Sequence, residues 1–547
     1  MKNFLIIFLL FVHSVTGMGQ KHDQIWIGGI ISKYQFPNDC PQCTRVMTFA
    51  DTGIHYQYVK NYIEMRETST VTMSDKDGNL QFYTNGNTIA SHDHSVMENG
   101  LRLNEGSFFS NYNVFGDSVG DWGYDYFAYM VLPDPEQDQY YYMLHTYILS
   151  AHLTDSVDNG FRFYSDRLLI TKIDMSANGG KGKVLYKNKP LYKAITGARL
   201  NVVQHGNGRD WWVLMTSPDV SVYHVLQIYK DSLIQAITQP VPSIALKPFD
   251  FNDSIAFTGN VPYLSPNGKI IIDREGRKGF CRLFDFDRCD GTILLRDTLD
   301  FGVAIFNSLD TGSHKDDFLK EGLREFCFSP NNRYLYAGSV AGYWQYDLEA
   351  QDILASGVQL SGPSIVMDDI TQEPILWQVF IPAMVHGPDG KLYALWRAIH
   401  HVVHDPNEKG LASDFCLAFE NPPSCLQVPH HLFSPWSPNY RLGAEVGSPC
   451  DTLSTTIPET SSAFNIRIYP NPGSGPVYLD ITLPEYSNQD VHIEVVNSLG
   501  QVVHRHRFPD YAYIHILESG LLSTGMYYVR LLYHGRQVAT ERMMMME

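Results

Sequence analysis

Apolar residues in this chain of 547 residues come in short runs that polar turns separate. One pattern recurs six times: a turn of Pro, Asp, Asn or Gly, a polar residue, and then an apolar run rich in aromatic residues. The copies begin at Asp75, Pro133, His205, Ser265, Ser329 and Gly387, between 58 and 72 residues apart. Asp-Gly and Asn-Gly turns between apolar runs are strong hairpin signals. The pattern therefore predicts an all-β chain with four-stranded antiparallel units in tandem, as in a β-propeller.

The period of the pattern predicts a seven-bladed β-propeller over residues 20–450. Six copies are visible, so we expect the seventh blade to be assembled from the two ends of this region. Pairing of Ile25-Trp26-Ile27 with a strand near the C-terminal end would close the ring and hide both sheet edges. Six or eight blades remain alternatives, as do two packed β-sandwiches, although sandwiches would not produce such a period. Helix signals are scarce, and one short helix is expected near 316–323.

The remaining residues divide into a leader, a linker and a second domain. Lys2, the apolar run 4–12 and the small residues that follow predict a signal peptide over residues 1–19. That run is too short to span a bilayer, and no other stretch predicts a transmembrane segment. Residues 451–463 are rich in Ser and Thr and predict a linker. Period-two alternation over 464–547 predicts a small Ig-like β-sandwich.

The net charge and the cysteine content argue against two kinds of function, nucleic-acid binding and a structural zinc site. The formal net charge of −18 argues against nucleic acid as a partner, because nucleic-acid binding needs clustered Lys and Arg. Eight Cys in an exported chain favour disulfides, and Cys416 with Cys425 is the pair we prefer. Cys40 and Cys43 lack the second close pair that a structural zinc site needs. The sequence therefore predicts disulfides rather than metal.

Candidate chemistry is sparse, and we predict no catalytic residue, metal ligand or cofactor. Asp75 and Asp77 resemble the start of a calcium loop, but Gly86 stands where such a loop needs Glu, which favours a hairpin turn. His400 and His404 are four apart, but a strand would place them about 13 Å apart, too far to share a metal directly. Several tryptophans near the turns are expected to pack between blades, with ligand stacking as the alternative: Trp211, Trp212, Trp344, Trp377 and Trp396.

Three motifs in the last eighty or so residues carry a family resemblance. They are Tyr469-Pro470-Asn471-Pro472, the run from Leu499 to Val503, and the run from Gly525 to Leu531. Together they resemble the type A C-terminal sorting domain of type IX secretion cargo. The residues that match its motifs are Tyr469, Pro470, Asn471, Pro472, Leu499, Gly500, Gly525, Tyr527 and, before a final run of four Met, Arg542.

The resemblance implies a partner and a destination. The type IX secretion machinery would recognise the domain, carry the protein over the outer membrane and remove the domain in the linker. The protein would then be released or joined to surface lipopolysaccharide. The turns of the first region resemble those of WD40-like and YVTN-like propellers, and the run from Pro438 to Gly443 resembles an ending found in large secreted propeller-like proteins.

We predict a secreted or cell-surface binding and interaction module whose ligand is unknown. Propellers hold loops around a rigid ring, and binding residues concentrate on such loops. The alternative is an extracellular hydrolase or lyase with its site at the propeller mouth, and a surface-layer or adhesion component is a third. Convergent charged side chains in one deep pocket would favour the enzyme, whereas a mouth filled by apolar side chains would favour binding.

Overall fold

The computed structural model divides the chain into two compact units, Met1–Asp451 and Thr452–Glu547. The parts of the chain that it describes are residues 20–28, 43–60, 70–106, 124, 127–152, 161–242, 262–275, 280–308, 323–339, 342–362, 365–367, 374–376, 384–397, 399–416, 432–433, 435–451, 465–482, 491–497, 501–508, 514–518, 520–533 and 536–546. The predicted signal peptide and nearly all of the predicted linker lie outside these residues.

The first unit is built from antiparallel sheets whose strands follow one another in chain order. The first three sheets contain β1 (Ile25–Gly28), β2 (Cys43–Ala50) and β3 (Gly53–Lys60); β4 (Val71–Ser74), β5 (Leu80–Thr84) and β6 (Ile89–Ser91); and β7 (Tyr129–Pro133), β8 (Tyr140–His152), β9 (Phe161–Asp174) and β10 (Lys183–Gly197). The next two contain β11 (Asn201–Gln204), β12 (Trp211–Thr216), β13 (Val222–Tyr229) and β14 (Ser232–Pro240); and β15 (Tyr263–Leu264), β16 (Ile270–Glu275), β17 (Phe280–Phe286) and β18 (Ile293–Asp300).

Three more sheets complete the described part of the first unit. They contain β19 (Leu323–Phe328), β20 (Tyr334–Ser339), β21 (Gly342–Asp347) and β22 (Val358–Ser361); β23 (Ile365–Met367) and β24 (Pro374–Leu376); and β25 (Met384–His386), β26 (Leu392–Arg397), β27 (Ile399–Val403), β28 (Phe415–Cys416) and β29 (Leu432–Phe433), which pairs with β26. One α-helix, α1 (Phe301–Ser308), and 3-10 turns at Asn178–Gly180, Leu354–Ser356 and Gly410–Ser413 are the helical segments described. No described helix has the length and apolarity needed to cross a membrane.

The six predicted turns occupy one topological position. Each joins the first strand of a sheet to the second: β4 to β5, β7 to β8, β11 to β12, β15 to β16, β19 to β20, and β25 to β26. At the first of them the Asp75 carboxylate accepts backbone hydrogen bonds from Asp77 and Asn79, both at 2.9 Å. This confirms the hairpin interpretation of that motif over the calcium loop.

The first strands of successive sheets lie side by side. β1 lies beside β4, β4 beside β7, β11 beside β15, β15 beside β19, and β19 beside β25. The Leu200 N–H, just before β11, donates to the carbonyl of Phe127, just before β7, at 2.8 Å. The Asn201 amide donates to the Pro262 carbonyl, before β15, at 2.7 Å. The first strands therefore form one connected series through the unit.

The sheet at the start of the chain corrects one expectation. Ile25-Trp26-Ile27 pairs with β2 and not with a C-terminal strand. β2 continues into β3 through a tight turn, with Ala50 opposite Gly53. A local hairpin forms at less entropic cost than pairing with a strand some 400 residues away. The two ends of the unit still meet, because β29 lies beside β1. Of the helix expected near 316–323, only Leu323 is described, and it begins β19.

The second unit consists of two antiparallel sheets over one core. The first sheet has the order β30-β31-β34 and the second the order β33-β32-β35-β36. Their bounds are β30 (Asn465–Tyr469), β31 (Val477–Thr482), β32 (Val491–Asn497), β33 (Val502–Arg507), β34 (Ile514–Leu517), β35 (Gly525–Tyr533) and β36 (Arg536–Met545). Alternate residues such as Val477, Leu479 and Ile493 are fully buried in a cluster that both sheets share.

The disulfide expectation holds, but at a pair that the sequence did not indicate. Cys289 and Cys450 form a disulfide across 161 residues. Cys416 is disulfide-bonded as well, while Cys425 lies outside the described residues, so their pairing stays a prediction. Cys281 and Cys327 are buried and remain thiols. Not every cysteine of this exported chain is therefore used for cross-linking.

Candidate functional sites

Five side chains next to the first strands form a cluster, which we call the central cluster: Phe127, Arg199, Tyr263, Glu325 and Trp436. The Trp436 indole packs edge-on against Phe127, with ring centroids 4.2 Å apart, and lies 6.4 Å from the ring of Tyr263. The Arg199 guanidinium lies over the Phe127 ring at 5.0 Å. The Tyr263 hydroxyl donates to the Glu325 carboxylate at 2.6 Å. Aromatic surface and two opposite charges thus meet where several sheets converge.

Two features of the central cluster are unusual for a packing core. Phe127 has a φ of 63°, a left-handed conformation that is costly for a bulky residue and is often found at functional sites. The buried Nε1 of Trp436 has no hydrogen-bond partner among the residues that the structure describes. Trp436 also packs against three separate hydrophobic clusters of the first unit. Its indole therefore lies where the interiors of several sheets meet.

Trp436 belongs to residues 435–451, which we call the crossing segment and which many contacts hold in place. The Tyr440 hydroxyl donates to the Val131 carbonyl of β7 at 2.8 Å, and Tyr440 is almost completely buried. The Asn439 amide donates to the Pro266 carbonyl, in the turn after β15, at 2.9 Å. The Arg288 guanidinium donates to the Gly443 carbonyl at 2.6 Å. The crossing segment therefore runs from β7 to the turns that follow β15 and β17.

The crossing segment is also held by charge and by a covalent bond. Arg441 pairs with Asp23, which precedes β1, and Lys269 of the turn after β15 pairs with Glu445. The Cys289–Cys450 disulfide ties the end of the segment to the turn after β17. These contacts tie the end of the first unit to its beginning and its middle. The Pro438–Gly443 motif noted in the sequence is thus a structural connector.

Two buried pairs of titratable side chains in the described part of the first unit show no arrangement for acid–base catalysis. The Cys327 Sγ lies 3.7 Å from His386 Nε2, but burial raises the pKa of the Cys327 thiol and lowers the pKa of His386 to about 4. Both groups are neutral at pH 7, so the pair is not a thiolate–imidazolium nucleophile. The Arg282–Asp273 ion pair is fully buried and bonded to Tyr223, which is a structural network. No group of three or more metal-binding side chains occurs among the residues that the structure describes.

The tryptophans and histidines singled out in the sequence lie elsewhere. Trp211, Trp212 and Trp344 are buried in the hydrophobic clusters between sheets, while Trp377 and the side chain of Trp396 lie outside the described part. His400 lies on β27, and His404 follows directly after the last residue of that strand, Val403. The indole of the central cluster is Trp436, which the sequence argument missed. Its one sequence signal is its place two residues before the Pro438–Gly443 motif.

The first sorting motif of the second unit clamps the final strand. The Asn471 side-chain amide donates to the Arg542 carbonyl at 2.7 Å, and the Met544 N–H donates to the Asn471 Oδ1 at 3.0 Å. Tyr469 stacks on Tyr478 of β31 with ring centroids 5.6 Å apart. Pro470 and Pro472 flank Asn471 in the loop after β30. This loop therefore supplies hydrogen bonds to the edge of β36 that β35 leaves unpaired.

The last sorting motif meets the same strand from the other side. Gly525 lies opposite Met545, and Tyr527 opposite Met543, in the pairing of β35 with β36. The buried Tyr527 hydroxyl donates to the Ser523 carbonyl at 2.9 Å. The first and last motifs therefore come together around β36. Leu499 and Gly500 of the central motif lie outside the described residues.

Gly473 is a residue of this site that the motif reading missed. Its N–H donates to the Met544 carbonyl at 2.9 Å, and its carbonyl accepts from the Met546 N–H at 2.7 Å. A Cβ at this position would lie 2.6 Å from the Val477 side chain and 3.0 Å from the Pro470 carbonyl. Its position directly after Tyr-Pro-Asn-Pro was the available signal. A larger residue at this position would therefore clash with Val477 and with the loop's own backbone, which favours glycine where the loop pairs with β36.

Comparison with known proteins identifies the second unit. Residues 467–545 match the family described as the secretion system C-terminal sorting domain. This sorting domain implies that the type IX machinery exports the protein to the cell surface or the medium. No curated protein matches the chain.

Several solved structures resemble the chain weakly. A protein from Lactobacillus plantarum has 10% identity, covers 75% of this chain and 98% of its own, and gives a TM-score of 0.37. The periplasmic gluconolactonase PpgL of Pseudomonas aeruginosa has 12% identity, with coverages of 78% and 92% and a TM-score of 0.30. PorZ, a surface component of the type IX secretion system of Porphyromonas gingivalis, has 9% identity, coverages of 96% and 80%, and a TM-score of 0.23. Similarity at this level establishes neither activity nor ligand.

Proposed function

We propose that the chain is an exported seven-bladed β-propeller that acts as a binding module, followed by an Ig-like sorting sandwich. Seven sheets of three to five strands, each starting beside its neighbour, support the blade count. The β23–β24 hairpin would then be an insertion before the last blade. The return of β29 to β1 supports closure of the ring.

The central cluster is the observation that carries the binding role. Trp436 and Phe127 pack edge-on beside the first strands, and Glu325 is the one carboxylate of the cluster, whereas a hydrolase with a carboxylate pair would need two. Arg199 lies over the Phe127 ring, and Glu325 accepts a hydrogen bond from the Tyr263 hydroxyl. Aromatic faces bind the apolar face of a sugar ring, and charged groups bind its hydroxyls. We therefore propose a saccharide ligand at the central cluster.

Saccharide binding can be tested with a single isosteric change. Glu325→Gln keeps the shape of the side chain but removes its charge, so we expect at least about tenfold weaker binding to the soluble oligosaccharides that the wild-type protein retains on an array. Glu136→Gln is the matched control, because Glu136 pairs with Lys230 on an exposed surface. Equal binding by wild type and Glu325→Gln would overturn the proposal. Shortened oligosaccharides in the mass spectrum would favour the hydrolase or lyase.

Export can be tested separately by transplanting the sorting domain. Residues 464–547 fused to a reporter should send it outside the cell in a host with type IX machinery. The same fusion ended before Arg536 lacks β36 and should stay in the periplasm. Retention of the complete fusion would refute the sorting role. Mass spectrometry of the exported protein would locate the predicted cleavage within 451–463 and detect any attached lipopolysaccharide.

A further inference from the structure

Three imidazoles gather between the two sheets of the second unit, and neither the sorting motifs nor the binding proposal uses them. His504 and His506 lie on β33, the edge strand of one sheet, and His515 lies on β34, the edge strand of the other. The His504 Nε2 and His515 Nε2 are 3.0 Å apart. All three rings are half-buried. The pair therefore joins two sheets that share no backbone hydrogen-bond ladder.

His506 and Phe508 fix the orientation of the pair. The His506 ring stacks on His515 with centroids 3.7 Å apart, and Phe508 packs edge-on against His506 at 5.1 Å. His504 and His506 alternate along β33, and Phe508 follows the end of the strand at the same spacing, so all three face the interior. A strand facing an apolar core ordinarily places aliphatic residues at such positions. Packing alone therefore does not explain why histidines occupy these positions.

The geometry fits two nitrogen ligands of one metal ion. Nitrogen ligands of a transition metal lie about 2.0–2.1 Å from it, which puts two cis ligands about 3.0 Å apart and two tetrahedral ligands about 3.3 Å apart. The observed Nε2–Nε2 distance of 3.0 Å is that of a hydrogen bond between the two rings and also lies at this spacing, so a metal ion would take the place of the shared proton. Arg505, which lies between the two histidines of β33, faces the opposite side of the strand and pairs with Glu494 of β32.

We propose that His504 and His515 bind one divalent transition-metal ion, of the class of Zn²⁺, Ni²⁺ and Cu²⁺, and so clip the two sheets together. Imidazole nitrogen is a preferred ligand of these ions. No third protein ligand is in place among the described residues, so water completes the coordination. Such a site is open and exchangeable.

The test uses the full chain and Zn²⁺ as the probe. Titration calorimetry should show one equivalent of Zn²⁺ that His504→Ala and His515→Ala each weaken by at least about tenfold, since even outer-shell partners are worth that much. His492→Ala is the matched control, because His492 lies on the adjacent strand β32 outside the cluster. Retention of full binding in both cluster variants would overturn the proposal.

A second measurement needs no substitution and therefore does not depend on variant folding. Diethylpyrocarbonate modifies accessible imidazoles, and bound Zn²⁺ should protect His504 and His515 while leaving His492 reactive. Peptide mass spectrometry reads each site separately. Equal modification with and without Zn²⁺ would contradict the proposal.

Discussion

At the scale of single residues, the second unit depends on one amide side chain. Asn471 both donates to and accepts from the backbone of β36, so it replaces the missing neighbour of an edge strand. Edge strands with unpaired backbone groups invite wrong pairing. The Tyr-Pro-Asn-Pro motif therefore stabilises the fold of the second unit, in addition to any role in recognition by the secretion machinery.

Removal of that amide should destabilise the second unit. Asn471→Ala loses both hydrogen bonds to β36, and we expect a loss of about 1–3 kcal/mol in the free energy of unfolding. Chemical denaturation of the full chain, followed by circular dichroism, measures it. Ser474→Ala, at an exposed position of the same loop, should change stability little. A variant at Asn471 as stable as wild type would contradict the clamp.

The first unit should lose stability in acid because of His145. Burial lowers the pKa of His145 to about 3, whereas an unfolded chain leaves it near 6.5. The unfolded state therefore takes up a proton as pH falls from about 6.5 toward 3, while the folded state does not, and stability falls with pH across that window.

Replacement of the imidazole isolates this effect. In His145→Gln the dependence of unfolding free energy on pH should be shallower by up to about 1.4 kcal/mol per pH unit between pH 6 and 4. The exposed His55→Gln serves as the comparison. Identical pH profiles for wild type and His145→Gln would rule out the assignment.

Single residues mark the limit of prediction from sequence. The Asp75 turn and the alternation of the second unit could be predicted, because local backbone chemistry determines both. Trp436 could not be placed, because its neighbours come from strands far away in the chain. The His504–His515 pair could not be predicted either, because β33 and β34 join different sheets and the alternation does not show which sheet each strand joins. The Cys289–Cys450 disulfide could not be predicted, because 161 residues separate the two cysteines. The short spacing of Cys416 and Cys425 favoured that pair instead.

At the scale of elements, the turn residues allowed most of the correct predictions of strand pairing. Six hairpins were located correctly because Asp, Asn and Gly residues report the turn directly. The β1–β3 sheet was assigned wrongly, because its first connection is long and its second turn, Asp51-Thr52-Gly53, was not counted among the copies. The crossing segment has no regular secondary structure, so no periodicity could have revealed it.

The crossing segment should contribute strongly to the stability of the first unit. The Cys289–Cys450 bond closes a loop of 161 residues, and the chain-entropy model assigns such a loop up to about 5 kcal/mol. Cys450→Ser should therefore lower the melting temperature by several degrees in differential scanning calorimetry. The double variant Cys289→Ser/Cys450→Ser should cost no more than the single one. An unchanged melting temperature would show that noncovalent contacts suffice.

At the scale of the whole molecule, each of the two units has its own hydrophobic core. We therefore expect two unfolding transitions, and Asn471→Ala should shift only one of them while Cys450→Ser shifts the other. Calorimetry of the full chain with both variants makes the comparison. A single transition that both substitutions shift equally would show that the units unfold together.

The four methionines before the C-terminal residue face two environments, the hydrophobic core and the solvent. Met543 and Met545 are buried in the core, whereas Met544 and Met546 are half-exposed. Sulfoxide formation makes a methionine polar, so an oxidant would reach the outward pair first and leave the packing intact. In the unfolded chain, by contrast, all four sulfurs are open to attack, and damage at the inward pair would stop the strand from docking. Folding thus protects the tail from the oxidising surroundings that its own export signal leads it into.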